Sequence, residues 1–176
     1  MTLTVPTRAF RDAVGEFATG VTVVIVEHGE RAAGMTLNSF TSVSLEPLLV
    51  LVSLGHGSRT LELVGEAARF SVSVLHRGQR DVAIDFASPG APFPRQHATP
   101  TPDGFLVVAG AASTQHCVVD RVVRAGDHDL VLGRVVGISH AGGDPLLFHR
   151  GRLGGLKPDS VVPPGHPIAL EEGAGW

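Results

Sequence analysis

The stretch Gly34–Ser44, GMTLNSFTSVS, sets Thr36, Asn38, Ser39, Thr41, Ser42 and Ser44 into an apolar, strand-forming region and carries no Lys, Arg, Asp or Glu. A solvent-facing strand is normally dressed with charges, and a buried one with Val and Ile. A neutral row of hydroxyls close to the backbone suits neither. On one strand, alternate side chains share a face, so Thr36, Asn38 and Ser42 are expected to point together while Met35 and Leu37 pack behind them. Groups that both donate and accept suit a planar heterocycle of mixed edge polarity. Ser and Thr in strands are also common without any ligand, and for this run alone the two readings weigh equally.

The flanking pattern is β. VTVVIVEH (21–28) is a β-branched run that turns at His28-Gly29-Glu30 into the strand bearing the hydroxyls. LLVLVSL (48–54) is apolar on both faces and is expected to be a central strand. RFSVSVLH, a strand over roughly 111–124, LVLGRVVGISH and LLFHRGRLGGL continue the theme. Three short helices are expected. One covers Arg8–Ala18, with Thr7 as its N-cap and Phe10, Ala13, Val14 and Phe17 on one face. Another follows Ser58 as N-cap, with Leu61 and Val64 inward, and a third runs through Val82, Ala83 and Phe86. SPGAPFPRQHATPTPDG reads as a long loop inside one domain, 1–156, and residues 157–176 as a Pro- and Gly-rich tail. The fold class expected is mainly β, a closed or nearly closed antiparallel barrel with short peripheral helices.

A second polar group lies at Ser53 and in GHGSRT (55–60). Gly55 and Gly57 permit close backbone approach, and Ser58 and Arg59 open a helix whose first amides favour an anion. Taken alone, such a segment is more often just a turn and a cap, and it matches neither a Walker loop nor a dinucleotide fingerprint.

Composition narrows the functional classes. The 176 residues carry a formal net charge of −3, so nothing draws the chain to nucleic acid or an anionic membrane. No apolar run approaches a bilayer-spanning length, and the N-terminus lacks a signal-peptide pattern, so a cytoplasmic protein is expected. The single Cys117 excludes an intramolecular disulfide and reads as an inert core residue. Nine histidines without HxH or HExxH spacing argue against a metal site.

Seven blocks in this order carry a resemblance: FRDAVGEFATGVTVV, GMTLNSFTSVSLEPLLVLVSL, SRTLELV, RFSVSVL, FASPGA, AGDHDLVLGRVV and PLLFHRGRLGGL. Over about Phe10–Leu156 the chain resembles the flavin reductase family, the small NAD(P)H-dependent components of two-component flavin monooxygenases. The resemblance implies a split-barrel FMN-binding fold, a homodimer with flavin near the subunit interface, and a monooxygenase partner supplied by diffusible reduced flavin. It also implies FMN or FAD as flavin and NADH or NADPH as donor. The absence of an added basic cluster for a 2′-phosphate leans to NADH.

By the same resemblance Thr36, Asn38, Ser39 and Ser42 contact the ring and ribityl chain, Ser53 stands beside the flavin, and Ser58, Arg59 and Thr60 hold its phosphate. Gly126, Asp127 and His128 match the family's Gly-Asp-His motif, so His128 is implied to meet the nicotinamide nucleotide, with help from Arg11 at its phosphates. His149 and Arg150 fall near the nicotinamide side. Phe148 stands where relatives often have Tyr, which keeps stacking and loses a hydroxyl. The chain departs from the family's pattern between about residues 90 and 122, both after SPGA and in GAASTQHCVVDRV, and these regions are expected to border the pocket or the dimer face. The implied reaction is hydride transfer from nicotinamide C4 to flavin N5, which needs no protein nucleophile. Two alternatives stay open: a flavoprotein with tightly bound FMN acting as electron carrier or oxidase, and a non-catalytic flavin-binding barrel.

Overall fold

A computed structural model describes residues 4–156. The tail assigned to 157–176 lies outside the described residues. Helix α1 (Thr7–Val14) leads to β1 (Thr19–Gly20), β2 (Thr22–His28), β3 (Arg31–Leu37), β4 (Thr41–Leu45) and β5 (Leu48–Gly55). Helix α2 (Arg59–Ala67), β6 (Arg69–Val74) and α3 (Arg80–Ala87) follow. The chain closes with β7 (Ala98–Pro100), β8 (Leu106–Val108), β9 (Ser113–Ala125), β10 (His128–His140), β11 (Leu147–His149) and β12 (Arg152–Gly154).

Seven strands form one antiparallel sheet in the order β3-β2-β6-β9-β10-β5-β4. Its two edges, β3 and β4, are consecutive in the chain and joined by residues 38–40 alone. Laid flat, seven strands would part their outer members by roughly 29 Å, six steps of about 4.8 Å. The connection from Leu37 to Thr41 reaches only about 14 Å when fully extended. The sheet must therefore curl until its edges almost meet, yet no backbone ladder joins β3 to β4. That is a barrel left open along one seam, as expected of a mainly β chain.

The interior holds Val24, Val26, Val50, Val52, Leu54, Phe70, Val72, Cys117 and Val131, and α2 adds Leu63 and Val64. The opposite face of β2, Val23 and Ile25, packs with Ala83, Phe86, Leu106, Val108 and Leu146. Thr22–Val26 is thus covered on both faces, which explains an unbroken β-branched run.

Three details differ from the sequence reading. The strand at Leu48–Gly55 is not central. It lies next to edge strand β4, and Leu51 and Ser53 stay half-exposed while Val50, Val52 and Leu54 fill the interior. Helix α1 begins after Pro6 rather than on a Thr7 cap, makes no side-chain cap bond, and ends at Gly15. Its apolar face, Phe10 and Val14, stays exposed in the protomer, as does Phe17. The loop after α3 is also not structureless, because Ala98–Pro100 pairs with Leu106–Val108.

Candidate active site

The hydroxyl run does not lie on one strand. β3 stops at Leu37 and β4 starts at Thr41, so alternation cannot carry one face from Thr36 to Ser42. The polar side chains at this break satisfy backbone or each other. Thr36 Oγ1 donates to Ala83 O at 2.7 Å, tying β3 to α3. Asn38 Nδ2 donates to Thr19 Oγ1 at 3.2 Å. Ser39 Oγ donates to Ser53 O (3.2 Å) and accepts from Ser53 N (3.1 Å), so it holds the seam against β5. Ser42 sits half-buried on β4 opposite Val50.

A cleft of about 660 Å³ opens between β3, the start of α2 and the segment after α3. Ala32–Thr36 form one wall, Gly57–Thr60 one end, and Asp85–Pro94 the other wall. Thr36, Ser58, Arg59 and Thr60 therefore meet in one cavity although the first and the last three lie in separate parts of the sequence. Asn38, Ser39, Ser42, Ser53, Arg11, His128 and Phe148 are not among its lining residues.

The end of the cleft at α2 is built for an anion. Ser58 is the N-cap, in extended conformation, and accepts from Leu61 N at 3.3 Å. The first amides of the nine-residue helix have no partner within the helix, and partial positive charge gathers there. Gly57, at φ +77°, adopts a conformation that L side chains rarely take. Arg59 Nη2 donates to Ala91 O at 2.8 Å, which places its guanidinium across the cleft and leaves other N–H donors for a ligand.

The wall is close-packed where it meets the sheet. A Cβ on Gly34 would stand 2.8 Å from Phe86 Cε1 and 3.0 Å from Val24 O, so only glycine lets α3 approach. Phe93 meets Phe86 edge-on at 5.6 Å, fixing the Pro-rich segment. Asp85, the one carboxylate on the lining, is 2.7 Å from His97 Nε2. Sequence reasoning placed the segment after SPGA near the pocket, and Ala91–Pro94 do line it. It missed Asp85 and His97, since nothing local pairs a helix residue with one twelve positions later across a loop.

The other divergent block lies elsewhere. His116 is buried on β9, stacks on Phe105 at 4.7 Å and puts Nδ1 2.6 Å from Asp103 Oδ2. Bonds from Thr101 and His116 hold the Asp103 carboxyl below its ordinary range. Neither residue lines the cleft. Cys117, fully buried beside them, has its thiol pushed up to about 12 by desolvation.

His128 opens β10 directly opposite Gly55, so the Gly-Asp-His turn abuts the glycine turn that leads into α2. Asp127 Oδ1 lies 2.7 Å from His128 Nδ1, and that bond lowers the Asp127 pKa. Phe148 lies on β11 opposite Thr19, whose hydroxyl receives Asn38, so these three form a separate neighbourhood off the end of β3. His149 and Arg150 both turn to Glu16, just past α1; Arg150 Nε donates to it at 2.7 Å, which lowers the Glu16 carboxyl pKa. Arg11 is exposed on α1. Among the described residues no three His, Cys, Asp or Glu side chains gather as metal ligands.

The chain is thus a seamed antiparallel barrel whose cleft, with Arg59 and Asp85 on its lining, ends at a helix N-terminus. Residues 14–157 match the flavin reductase like domain, and the chain belongs to that family. It is 40% identical over 162 residues to a probable flavin reductase of Rhizobium meliloti, covering 88% of this chain and 52% of that longer protein. It is 34% identical over 170 residues to HsaB of Mycobacterium tuberculosis, the reductase subunit of a flavin-dependent monooxygenase, covering 93% and 89%. Among solved structures, Streptomyces globisporus NADH:FAD oxidoreductase SgcE6, in complex with NAD and FAD fragments, superimposes with a TM-score of 0.83 at 36% identity, covering 92% of this chain and all of that one. The barrel is accordingly the split barrel of these reductases.

Proposed function

We infer that this protein is an NAD(P)H:flavin oxidoreductase that reduces FMN or FAD with NADH and supplies the reduced flavin to a partner monooxygenase. The observation that carries this reading is the single cleft in which a charge-free β3 wall meets the Ser58–Arg59–Thr60 helix start. A flavin nucleotide fits that donor set. Its phosphate would take the free amides of α2 with Arg59, and its ring would lie along Gly34–Thr36 without meeting an unpaired charge. Thr36 has spent its proton on Ala83 O, so its lone pairs are what it offers a ligand.

The dihydronicotinamide supplies the hydride and the flavin ring accepts it. The chain's own part is to hold, orient and exclude water. The Pro-rich wall at Pro89–Pro94, anchored by Arg59 to Ala91 and by Phe93 on Phe86, keeps solvent from one face of the cleft. The turn at Gly126–His128 offers an imidazole beside Gly55 for the nicotinamide nucleotide. Ser39 and Ser53 brace the seam, Asn38 is tied to Thr19 and Ser42 lies on β4; with Arg11 of α1 and Phe148 of β11 they would extend the site beyond the cleft. A cytoplasmic setting supplies the NADH this reaction consumes.

A homodimer completes the reading. Val43, Leu45 and Leu48 stand exposed around the β4–β5 hairpin, with Val136 and Ile138 on adjoining β10. Apolar side chains gathered this way mark a contact surface.

Anaerobic stopped-flow absorbance near 450 nm tests the activity. Protein mixed with NADH and excess FMN or FAD is expected to bleach many flavin equivalents. Bleaching of one tightly held equivalent would instead favour an electron carrier, and none with either nucleotide would sink the assignment.

A further inference from the structure

Two turns meet at one end of the sheet: Gly55–Gly57, leading into α2, and Gly126–Asp127, between β9 and β10. The β5–β10 register sets His128 opposite Gly55 and Asp129 opposite Leu54. His56 spans the gap twice. Its backbone N–H donates to Asp127 O at 3.0 Å, and its ring Nε2 lies 2.8 Å from Asp129 Oδ1. Both side chains of the second contact are mostly covered, His56 33% exposed and Asp129 22%, whereas Asp127 is 93% exposed. His128 is flanked by these two carboxylates. Nδ1 bonds Asp127, and a Cβ placed on Gly55 would stand 3.6 Å from its Nε2. The turn carrying His56 also continues directly into Ser58, whose N–H donates to Gly55 O at 3.2 Å and whose hydroxyl caps α2. Arg124, opposite Asp129 on β9, is the remaining charged group lining the same shallow depression.

We propose that His56, through Asp129, is a positioning residue that locks the His128 turn to the turn that starts α2, so that the two halves of the site bind their nucleotides in register. The proposal rests on reading the Gly126–His128 turn as the nicotinamide side. Among the described residues, Asp127 on its exposed turn has one side-chain partner, His128, and His56 is the only side chain that grips the strand just beyond it from the α2 side. A loosened turn would have to be ordered anew each time a nucleotide binds, and that ordering is charged to binding rather than to the chemical step.

Steady-state kinetics at saturating flavin tests this. His56→Ala is expected to raise KM for NADH about tenfold, the loss of one hydrogen bond to a charged group, with kcat held within about twofold. Asp129→Ala should do the same, and the double variant should be no worse than either single, because both remove one contact. The exchanged pair His56→Asp with Asp129→His should recover most of the loss, a rescue that a change in packing alone would not give. An unchanged KM in His56→Ala, additive losses, or losses shared equally by flavin binding and melting temperature would overturn the proposal. His128→Ala separates the underlying reading. If it leaves KM for NADH unaltered, the nicotinamide assignment of the turn falls, and the coupling with it. If it raises KM while His56→Ala does not, the coupling alone falls.

Discussion

Cys117 is the residue whose environment speaks most plainly. It lies in the barrel interior against Phe70 and Gly133, where a Cβ on the glycine would come 2.5 Å from the phenylalanine ring and 2.9 Å from Cys117 Cβ. Burial pushes the thiol from 9.0 up to about 12. A group with a raised folded pKa gives stability that is full below the unfolded value and is lost as pH rises toward the folded one. Stability should then fall by about 1.4 kcal/mol per pH unit above pH 9. The chain has no Tyr and a single Lys, so few other groups compete in that window. Urea unfolding of wild type and Cys117→Ala at pH 8 and pH 10.5 checks this: the wild type's advantage should shrink by about 2 kcal/mol, and an unchanged gap would refute the burial argument. The same burial makes the thiol unreactive, as its place in a strand suggested from the sequence.

Helix α2 is the element on which the site turns. Nine residues are few for an isolated helix, so it depends on its cap and on Thr60, Leu63 and Val64 packed beneath it. Ser58→Ala removes the one side chain that satisfies a first-turn amide. It should cost about 1 kcal/mol in chemical denaturation. Because Ser58, Arg59 and Thr60 line the cleft, KM for flavin should rise severalfold while KM for NADH stays put, a split that loss of stability alone would not produce. This cap was legible in GHGSRT. The contrast with α1 is instructive: its apolar face was equally legible, yet the protomer buries none of it. A sequence pattern reports that a face is apolar and is silent on what covers it.

At the scale of the molecule, a second apolar surface is uncovered on β4, β5 and β10. Leu48 is 50% exposed, Leu45 65% and Ile138 73% on one side of the barrel. If this side joins two copies, Leu48→Asp should shift sedimentation from dimer to monomer with the far-ultraviolet spectrum retained, since a desolvated carboxylate at a contact is costly. A wild-type protein that sediments as a monomer at micromolar concentration would remove the dimer from the proposal.

What the sequence determined by itself was local and periodic. A β-branched run marked β2 and an alternating one β6, the Gly29 turn joined β2 to β3, Ser58 began α2, and the ordered blocks together identified the flavin reductase family. Those features depend on neighbours within a few residues, or on a pattern of types along the chain. The tertiary structure decided which hydroxyls share a space. Thr36 reaches Ala83 because α3 packs back onto β3, and Ser39 reaches Ser53 because the curled sheet brings the β3–β4 crossing against β5. That closure also broke the expected single face of GMTLNSFTSVS, since alternation holds within a strand and stops where one ends. His56 with Asp129, and Asp85 with His97, are likewise products of strand register and loop return. Their partners are set by the free energy of the whole barrel, which no spacing along the chain encodes.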